Sequence, residues 1–389
     1  MTSPVPGTAE ERHASWLELF FDLVVVVAVA QLAHLLEGDL GLRDAGLFVV
    51  LFYAVWSVWT SFTLYANVAA TRTRTRAMLV AMFGIAVMAA AIPQAAGERG
   101  EAFAIAYVCC RWLGMISWRR TGQQLFSWPA AQAGAGFVPW VVSIWVEPPA
   151  RYWLWTAGVV LDIVLSAVQG SRAQEMLARM RRSTSRRAQS VQLVPARLEP
   201  AHLGERLGLF VIIVLGEAVA QVVMAASGAD WSGPLLVAAL AGFGLLVSLW
   251  WLTLEYGALS VPRLGQRRVE AWLALPAHFT ITMGITSVAA GLGMLAEHPS
   301  EPLDLAARWV LCGGLALYFL TTTVVGAIAG APRTWLFGRA LPAAVATVLL
   351  GVFGGPLESR WLALILVAVA VWQVRYARRH PAGAGAGPA

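Results

Sequence analysis

The chain contains no lysine: all 28 positions in its lysine-plus-arginine count are arginine. Charge of either sign is scarce, at 13% of 389 residues, whereas a soluble domain carries about a quarter. That scarcity excludes an ordinary soluble domain. Cysteine is also rare. Cys109, Cys110 and Cys312 all fall inside apolar runs, and no CxxC pair exists, so neither a zinc site nor a disulfide framework is supported. They read as small packing residues. Short alternating strands are missing, which excludes a membrane β-barrel. No nucleophile elbow, Walker motif, HExxH or dinucleotide fingerprint is found, so no catalytic residue, cofactor or metal is expected. The opening `MTSPVPGTAEERHAS` is acidic where a cleavable signal would be basic, and no A-x-A-like site follows. The first apolar run is therefore expected to be a permanent helix.

What is present is apolar length. The chain is 58% hydrophobic, with a mean hydropathy of +0.66. Long apolar runs recur throughout, so the expected class is an all-α, polytopic integral membrane protein. Twelve spans can be placed near 17–36, 45–66, 77–96, 102–118, 125–146, 152–170, 206–226, 233–256, 271–295, 305–329, 335–354 and 361–376. Eleven helices, or a re-entrant fifth segment around `PAAQAGAGFVP`, are left open by the pattern.

Arginine distribution favours an even count. One set of loops carries Arg72, Arg74, Arg76, Arg119, Arg120, Arg263, Arg267, Arg268, Arg333 and Arg339, together with the run of arginines after span six and those of the tail. The alternate loops carry Arg43, Arg99, Arg151, Arg308 and Arg360, one each. By the positive-inside rule both termini are expected in the cytoplasm of a cell (inner) membrane. The basic clusters then face anionic lipid rather than nucleic acid. Tryptophans near span ends (Trp16, Trp118, Trp128, Trp153, Trp231, Trp250, Trp335, Trp361) read as an interfacial belt.

The expected organisation is a cytoplasmic segment 1–16, a six-helix half 17–170, a basic linker 171–203, a second six-helix half 204–377 and a disordered tail 378–389. The linker segment `SRAQEMLARMRRSTSRRAQS` reads as a solvated connection or a basic surface helix. Setting 19–31 against 209–221 matches seven of thirteen positions, including AVAQ. Duplication of a six-span unit and coincidence in an apolar chain both account for that match.

An ionisable side chain at the bilayer centre costs roughly 2.5–3.5 kcal/mol on insertion scales, so the charged groups inside spans carry the functional information. Glu18 and Asp22 lie at i and i+4, hence on one face. The helix dipole accounts for Glu18 but fades before Asp22. Asp22 needs a partner, and Arg206 or Arg111 could supply it. A structural ion pair and a working polar site are both open. Glu217 lies 12 residues after Glu205, or about 18 Å along a helix, near mid-membrane. Gln221 shares its face, and Gly216 would let another helix approach. Glu217 reads as a proton-exchanging group or as a paired structural acid. His278 in `PAHFTIT` and Asp162 in span six are further candidates, each with a packing or pairing alternative. Glu255 is close enough to the interface to reach water.

The stretches `ELFFDLVVVVAVAQLAHLL` and `ERLGLFVIIVLGEAVAQVV`, followed by `WWLTLEY`, resemble the bacterial low temperature requirement A (LtrA) family. The residues that carry the resemblance are Glu18, Phe20, Phe21, Asp22, Glu205, Arg206, Gly208, Gly216 and Glu217. Two departures stand out: no aromatic follows Asp22 within `DLVVVV`, and Ala218 stands where the family often has serine. The resemblance implies a multi-pass, stress-related membrane protein without naming a substrate. Binding or proton-relay roles are expected for Asp22, Glu217, His278, Asp162 and Glu18. Ion-pairing roles are expected for Arg206, Arg111 and Glu205, and helix packing for Gly208 and Gly216. The first functional expectation is a proton-coupled or small-solute transporter. The alternatives are a membrane enzyme acting through buried carboxylates on a lipid-soluble substrate, and a structural protein whose acids only pair.

Overall fold

A computed structural model describes residues 13–38, 40–126, 128–172, 194–255 and 271–379. Within them the molecule is an all-α, multi-pass membrane protein, with ten helices long and apolar enough to cross a bilayer. In order, the helices are α1 (Trp16–His34), α2 (Leu42–Ala69), α3 (Thr75–Ala91), α4 (Gly100–Arg119), α5 (Ala130–Ala133), α6 (Phe137–Val142), α7 (Ala150–Ser171), α8 (Pro200–Gly228) and α9 (Gly233–Trp250). They continue with α10 (Ala271–Glu297), α11 (Leu305–Ile328), α12 (Arg333–Phe353) and α13 (Ser359–Arg379). Residues Gln123–Gln124 (β1) pair in parallel with Val194–Pro195 (β2). Helix dominates because hydrocarbon offers no partner for a free backbone group.

Side chains fix where the helices begin. Ser15 caps α1, and Glu18 closes the box by accepting from the Ser15 backbone N–H at 2.8 Å and its hydroxyl at 2.7 Å. Asp304 caps α11 through the Ala307 N–H at 2.7 Å. Such caps satisfy donors that have no partner inside the helix.

The two most buried spans, α2 and α10, form the centre. Their apolar windows are 89% and 83% enclosed, against 28–50% for the other spans. Lipid therefore contacts mainly the outer helices, where Phe83, Trp153, Leu240, Phe243 and Phe353 are exposed. Close packing of α10 on α11 needs glycine: a Cβ on Gly284 would lie 2.8 Å from the Gly314 carbonyl oxygen. Small residues at such contacts are the membrane substitute for a hydrophobic drive.

Several expectations are corrected. The expected twelve spans are not all regular helices. The fourth, α4, is 20 residues long but carries Glu101, Arg111 and Arg119, and it lies outside the ten apolar spans. The fifth is broken into α5, α6 and a 3-10 turn, Ser143–Trp145. This broken segment runs antiparallel to α4. The Ala131 carbonyl meets Ser61, which packs on Gly114. Gly134 lies against Arg111, Trp140 stacks near Tyr107 and Phe103, and Arg151 reaches Gly100. Arg339, assigned above to a loop, is 5% exposed within α12. Trp118, Trp128 and Trp335 are buried inside the protein rather than exposed on its surface; Trp118 donates to the Ser61 carbonyl and Trp128 packs edge-on against Trp56. A Cβ on Gly216 would meet nothing within 4 Å, so no helix among the described residues packs there. On Gly208 it would make an ordinary contact with Leu254 at 3.6 Å. Residues 173–193 of the linker and the tail from 380 lie outside the described residues.

Candidate functional site

α1 and α8 lie side by side and run in the same direction, so the i, i+4 pair Glu18 and Asp22 faces the i, i+4 pair His202 and Arg206. Arg206 Nη2 sits 2.6 Å from Asp22 Oδ1, and Arg206 Nη1 lies 3.7 Å from Glu18 Oε1. His202 Nε2 is 3.3 Å from Glu18 Oε1. Of the two cations considered for Asp22, Arg206 is the one in contact. α2 supplies the third wall. Trp59 Nε1 donates to Asp22 Oδ1 at 2.7 Å, and Thr63 Oγ1 accepts from Arg206 Nη2 at 3.4 Å. Asp22, Trp59, His202 and Arg206 are fully enclosed, and Glu18 is 2% exposed.

The protonation pattern of His202 follows from its neighbours. Asn67 Oδ1 accepts from the Glu199 N–H at 2.8 Å, so its amide nitrogen faces the Glu199 carbonyl and His202 Nδ1, at 3.0 and 3.1 Å. An amide nitrogen only donates. His202 Nδ1 therefore accepts, and the ring proton sits on Nε2, facing Glu18. With that tautomer the cluster brings two carboxylates, Glu18 and Asp22, to one guanidinium, Arg206, and one imidazole, His202, among the described residues. Asp22 Oδ2 and Arg206 Nε are buried without a hydrogen bond among the described residues. Glu205, next along α8, instead binds the N-terminal approach: its carboxylate accepts from the Ala14 N–H at 3.1 Å and lies 3.6 Å from His13.

A second buried ionic centre lies where the fifth segment breaks. Arg111 on α4 pairs with Asp162 on α7 at 3.1 Å. The Gly136 N–H donates to the other Asp162 oxygen at 2.9 Å. A Cβ at Gly134 or Gly136 would overlap this carboxylate, so the backbone can approach only as glycine. The Tyr53 hydroxyl faces the pair from α2, and Arg111 lies over the Tyr107 ring at 5.9 Å. Here charge is balanced, one acid to one cation. The irregular backbone stays inside protein, the condition for breaking a helix at membrane depth.

His278 belongs to neither centre. Its Nδ1 accepts from Trp56 Nε1 at 3.1 Å and its Nε2 faces the Leu207 carbonyl at 3.2 Å. The ring stacks on Trp59 at 5.3 Å. Both nitrogens are used, one as acceptor and one as donor.

Glu217 stands apart as well. It is half-buried on α8 and accepts from Gln221 Nε2 at 2.8 Å. Gln221 lies 3.5 Å from His34 Nε2, and His34 Nδ1 is 3.1 Å from Glu37. Eleven residues separate Arg206 from Glu217, about 16 Å of helix. The intervening wall is apolar, with Val25, Ala28, Val29, Phe210 and Val214 all enclosed. Asp22 and Glu217 therefore do not share one site.

Sequence reasoning did not single out His202, Trp59, Asn67 or Tyr53. His202 had a usable signal, four residues before Arg206 on the same face. The α2 residues had none, because a tryptophan or tyrosine in an apolar run looks like packing.

With this geometry in view, comparison with known proteins is decisive for the family. The family model described as Bacterial low temperature requirement A protein (LtrA) matches residues 13–372. The chain belongs to the LtrA family. It is also similar to an uncharacterized protein of Rhizobium meliloti (strain 1021), at 27% identity covering 97% of each chain. No solved structure matches. The match takes in both ionic centres, so they are features of an LtrA chain rather than of an appended domain. In this chain Ala218 is fully enclosed beside Glu217, and Glu217 takes its hydrogen bond from Gln221.

Proposed function

We propose that this LtrA-family protein is a proton-coupled carrier of a small solute, and that the Glu18, Asp22, His202 and Arg206 cluster holds the coupling proton. The carrying observation is geometric: Asp22 is fully enclosed against Arg206, and its Oδ2 has no hydrogen bond among the described residues, which leaves an atom where a proton can sit. Taking up a proton there changes the charge of the enclosed site by one, and releasing it changes it back. A conformational change that opens the site to one side then has a charge to respond to.

Three features support the reading. The α1–α8 contact places the first helix of each half of the chain in parallel register at the cluster. That arrangement suits two six-helix halves, 17–170 and 204–377, moving against each other. The broken segment along α4 serves as the fifth of twelve crossings, and discontinuous helices are a recurrent device of transporters. Glu217, Gln221, His34 and Glu37 form a separate polar string that leads to the opposite end of α1. It offers a proton exit on that side, and the apolar wall between prevents a continuous leak. In this topology both termini face the cytoplasm of the inner membrane.

The test is proton movement. Protein reconstituted in liposomes with an internal pH dye, supplied outside with members of a panel of small solutes, should take up protons with at least one of them under an imposed potassium diffusion potential. Asp22→Asn should cut that rate at least ~10-fold, the scale on which losing a proton-transfer group acts. An unchanged rate in Asp22→Asn would remove the cluster from the mechanism. No uptake even in the wild type would favour acids that only hold helices together.

A further inference from the structure

The second half of the chain contains a buried arginine with no acid beside it among the described residues. Arg339 on α12 is 5% exposed. Its Nε donates to Gln373 Oε1 at 2.9 Å, and Gln373 Nε2 returns a bond to the Arg339 carbonyl at 3.1 Å. Its two terminal amino groups make no hydrogen bond with the described residues. Among those residues the ionisable groups facing it are the hydroxyls of Tyr318 and Tyr376, not carboxylates. The other buried arginines are accounted for. Arg111 and Arg206 have aspartates. Arg151 and Arg308 donate to backbone carbonyls near helix ends.

The guanidinium lines a cavity of about 20 Å³ with Thr253, Tyr318, Thr322, Trp335 and Gln373. Two π-helical turns, Trp251–Glu255 and Leu336–Ala340, both contribute to its wall. Such turns are rare and concentrate at functional positions. Side-chain donors stand open toward the cavity. Trp335 Nε1 is buried with no partner among the described residues. Thr253 Oγ1 and Tyr318 OH are 2.8 Å apart; one proton is used between them, which leaves the other hydroxyl hydrogen to donate elsewhere. Gln373 Oε1 is already occupied by Arg339 Nε.

We propose that Arg339, Trp335 and the Thr253–Tyr318 hydroxyl pair form an anion-binding site that takes one negatively charged acceptor atom. A cavity of this size admits about one water-sized species. The chemistry that fits is a halide, or a single charged oxygen of a phosphate. Arg339 lies six residues after Arg333, about 9 Å into the helix, at the end where Arg375, Arg378 and Arg379 also lie. A lipid phosphate and a free ion can both reach that level. The site is independent of the carrier reading, since none of its residues touches the Asp22 cluster.

The experiment uses the full chain. Tryptophan fluorescence reports directly, because the Trp335 ring lies 5.5 Å from the Arg339 guanidinium carbon. In neutral detergent the protein is titrated with sodium chloride and, separately, inorganic phosphate, at constant ionic strength made up with sodium gluconate. In nanodiscs, phosphatidylcholine is compared with mixtures containing phosphatidylglycerol. A saturable change is expected in at least one arm, weakened at least ~10-fold by Arg339→Gln, as loss of a charge-assisted donor set requires. A response to chloride or phosphate identifies a free ion; a response to phosphatidylglycerol alone identifies the headgroup. If Arg339→Gln does not fold, Tyr318→Phe and Arg339→Lys are followed by thermal shift, and each should weaken binding several-fold. No saturable response in any arm, or unchanged binding in every folded variant, overturns the proposal.

Discussion

The two buried ionic centres differ in one respect that decides their chemistry. At the α4–α7 contact, Asp162 meets Arg111 one to one, and the Gly136 backbone N–H satisfies the second oxygen. At the α1–α8 contact, Glu18 and Asp22 share Arg206, and Asp22 Oδ2 has no hydrogen bond among the described residues. An aspartate with both oxygens taken has little reason to change protonation and serves to hold a broken segment in place, although Arg111 Nη1 has no hydrogen bond among the described residues. An aspartate with one open oxygen can take a proton there. Buried ion pairs alone are weak evidence of function, so the state of the two carboxylates separates the centres better than their burial does.

The same substitution should therefore give opposite results at the two places. Asp162→Asn leaves Arg111 buried and uncompensated, and should cost about 3–5 kcal/mol of stability. Asp22→Asn leaves Glu18 matched to Arg206, and should cost under ~1 kcal/mol or even stabilise. Thermal unfolding of the purified variants in one detergent measures both. Equal losses would end the distinction. A sharper version replaces the whole pair: Arg111→Met with Asp162→Leu should recover most of the loss of Asp162→Asn, because apolar groups of similar volume replace buried ion pairs at little cost. Failure to recover, with the broken segment newly sensitive to protease, would mean that the Gly136 contact matters more than the charge. The smallest effect belongs to Glu217. It is half-buried with one hydrogen bond, so Glu217→Gln should change stability by less than ~1 kcal/mol while slowing proton uptake in liposomes. A large stability loss would place Glu217 among the structural acids.

Parts of this were legible without coordinates. Charge in an apolar run is conspicuous, so Glu18, Asp22, Asp162, Arg111, Arg206 and Glu217 all stood out, and i, i+4 spacing put the first two on one face. The pairing was not legible. Arg111 was a candidate partner for Asp22 and lies against Asp162 instead. Arg339 is grouped with the loop arginines although it falls inside the expected span 335–354; its burial in α12 decides between the two. The fifth segment contains two glycines and two prolines within an otherwise apolar stretch. That composition is equally consistent with a re-entrant loop and with a broken crossing until its neighbours along α4 are known.

The amino-acid sequence by itself determined the solvent of this protein. Long apolar runs, scarce charge and arginines concentrated in alternate loops leave a helical bundle in lipid, since only closed backbone hydrogen bonding survives there. It also determined which residues would be costly to bury. The tertiary structure decided which of those costs are offset. Helix packing brings Asp162 to Arg111, Asp22 to Arg206 and Trp56 to His278, across separations of 51, 184 and 222 residues. Local pattern carries no information over such distances, because the register between two apolar helices depends on how their whole surfaces interlock.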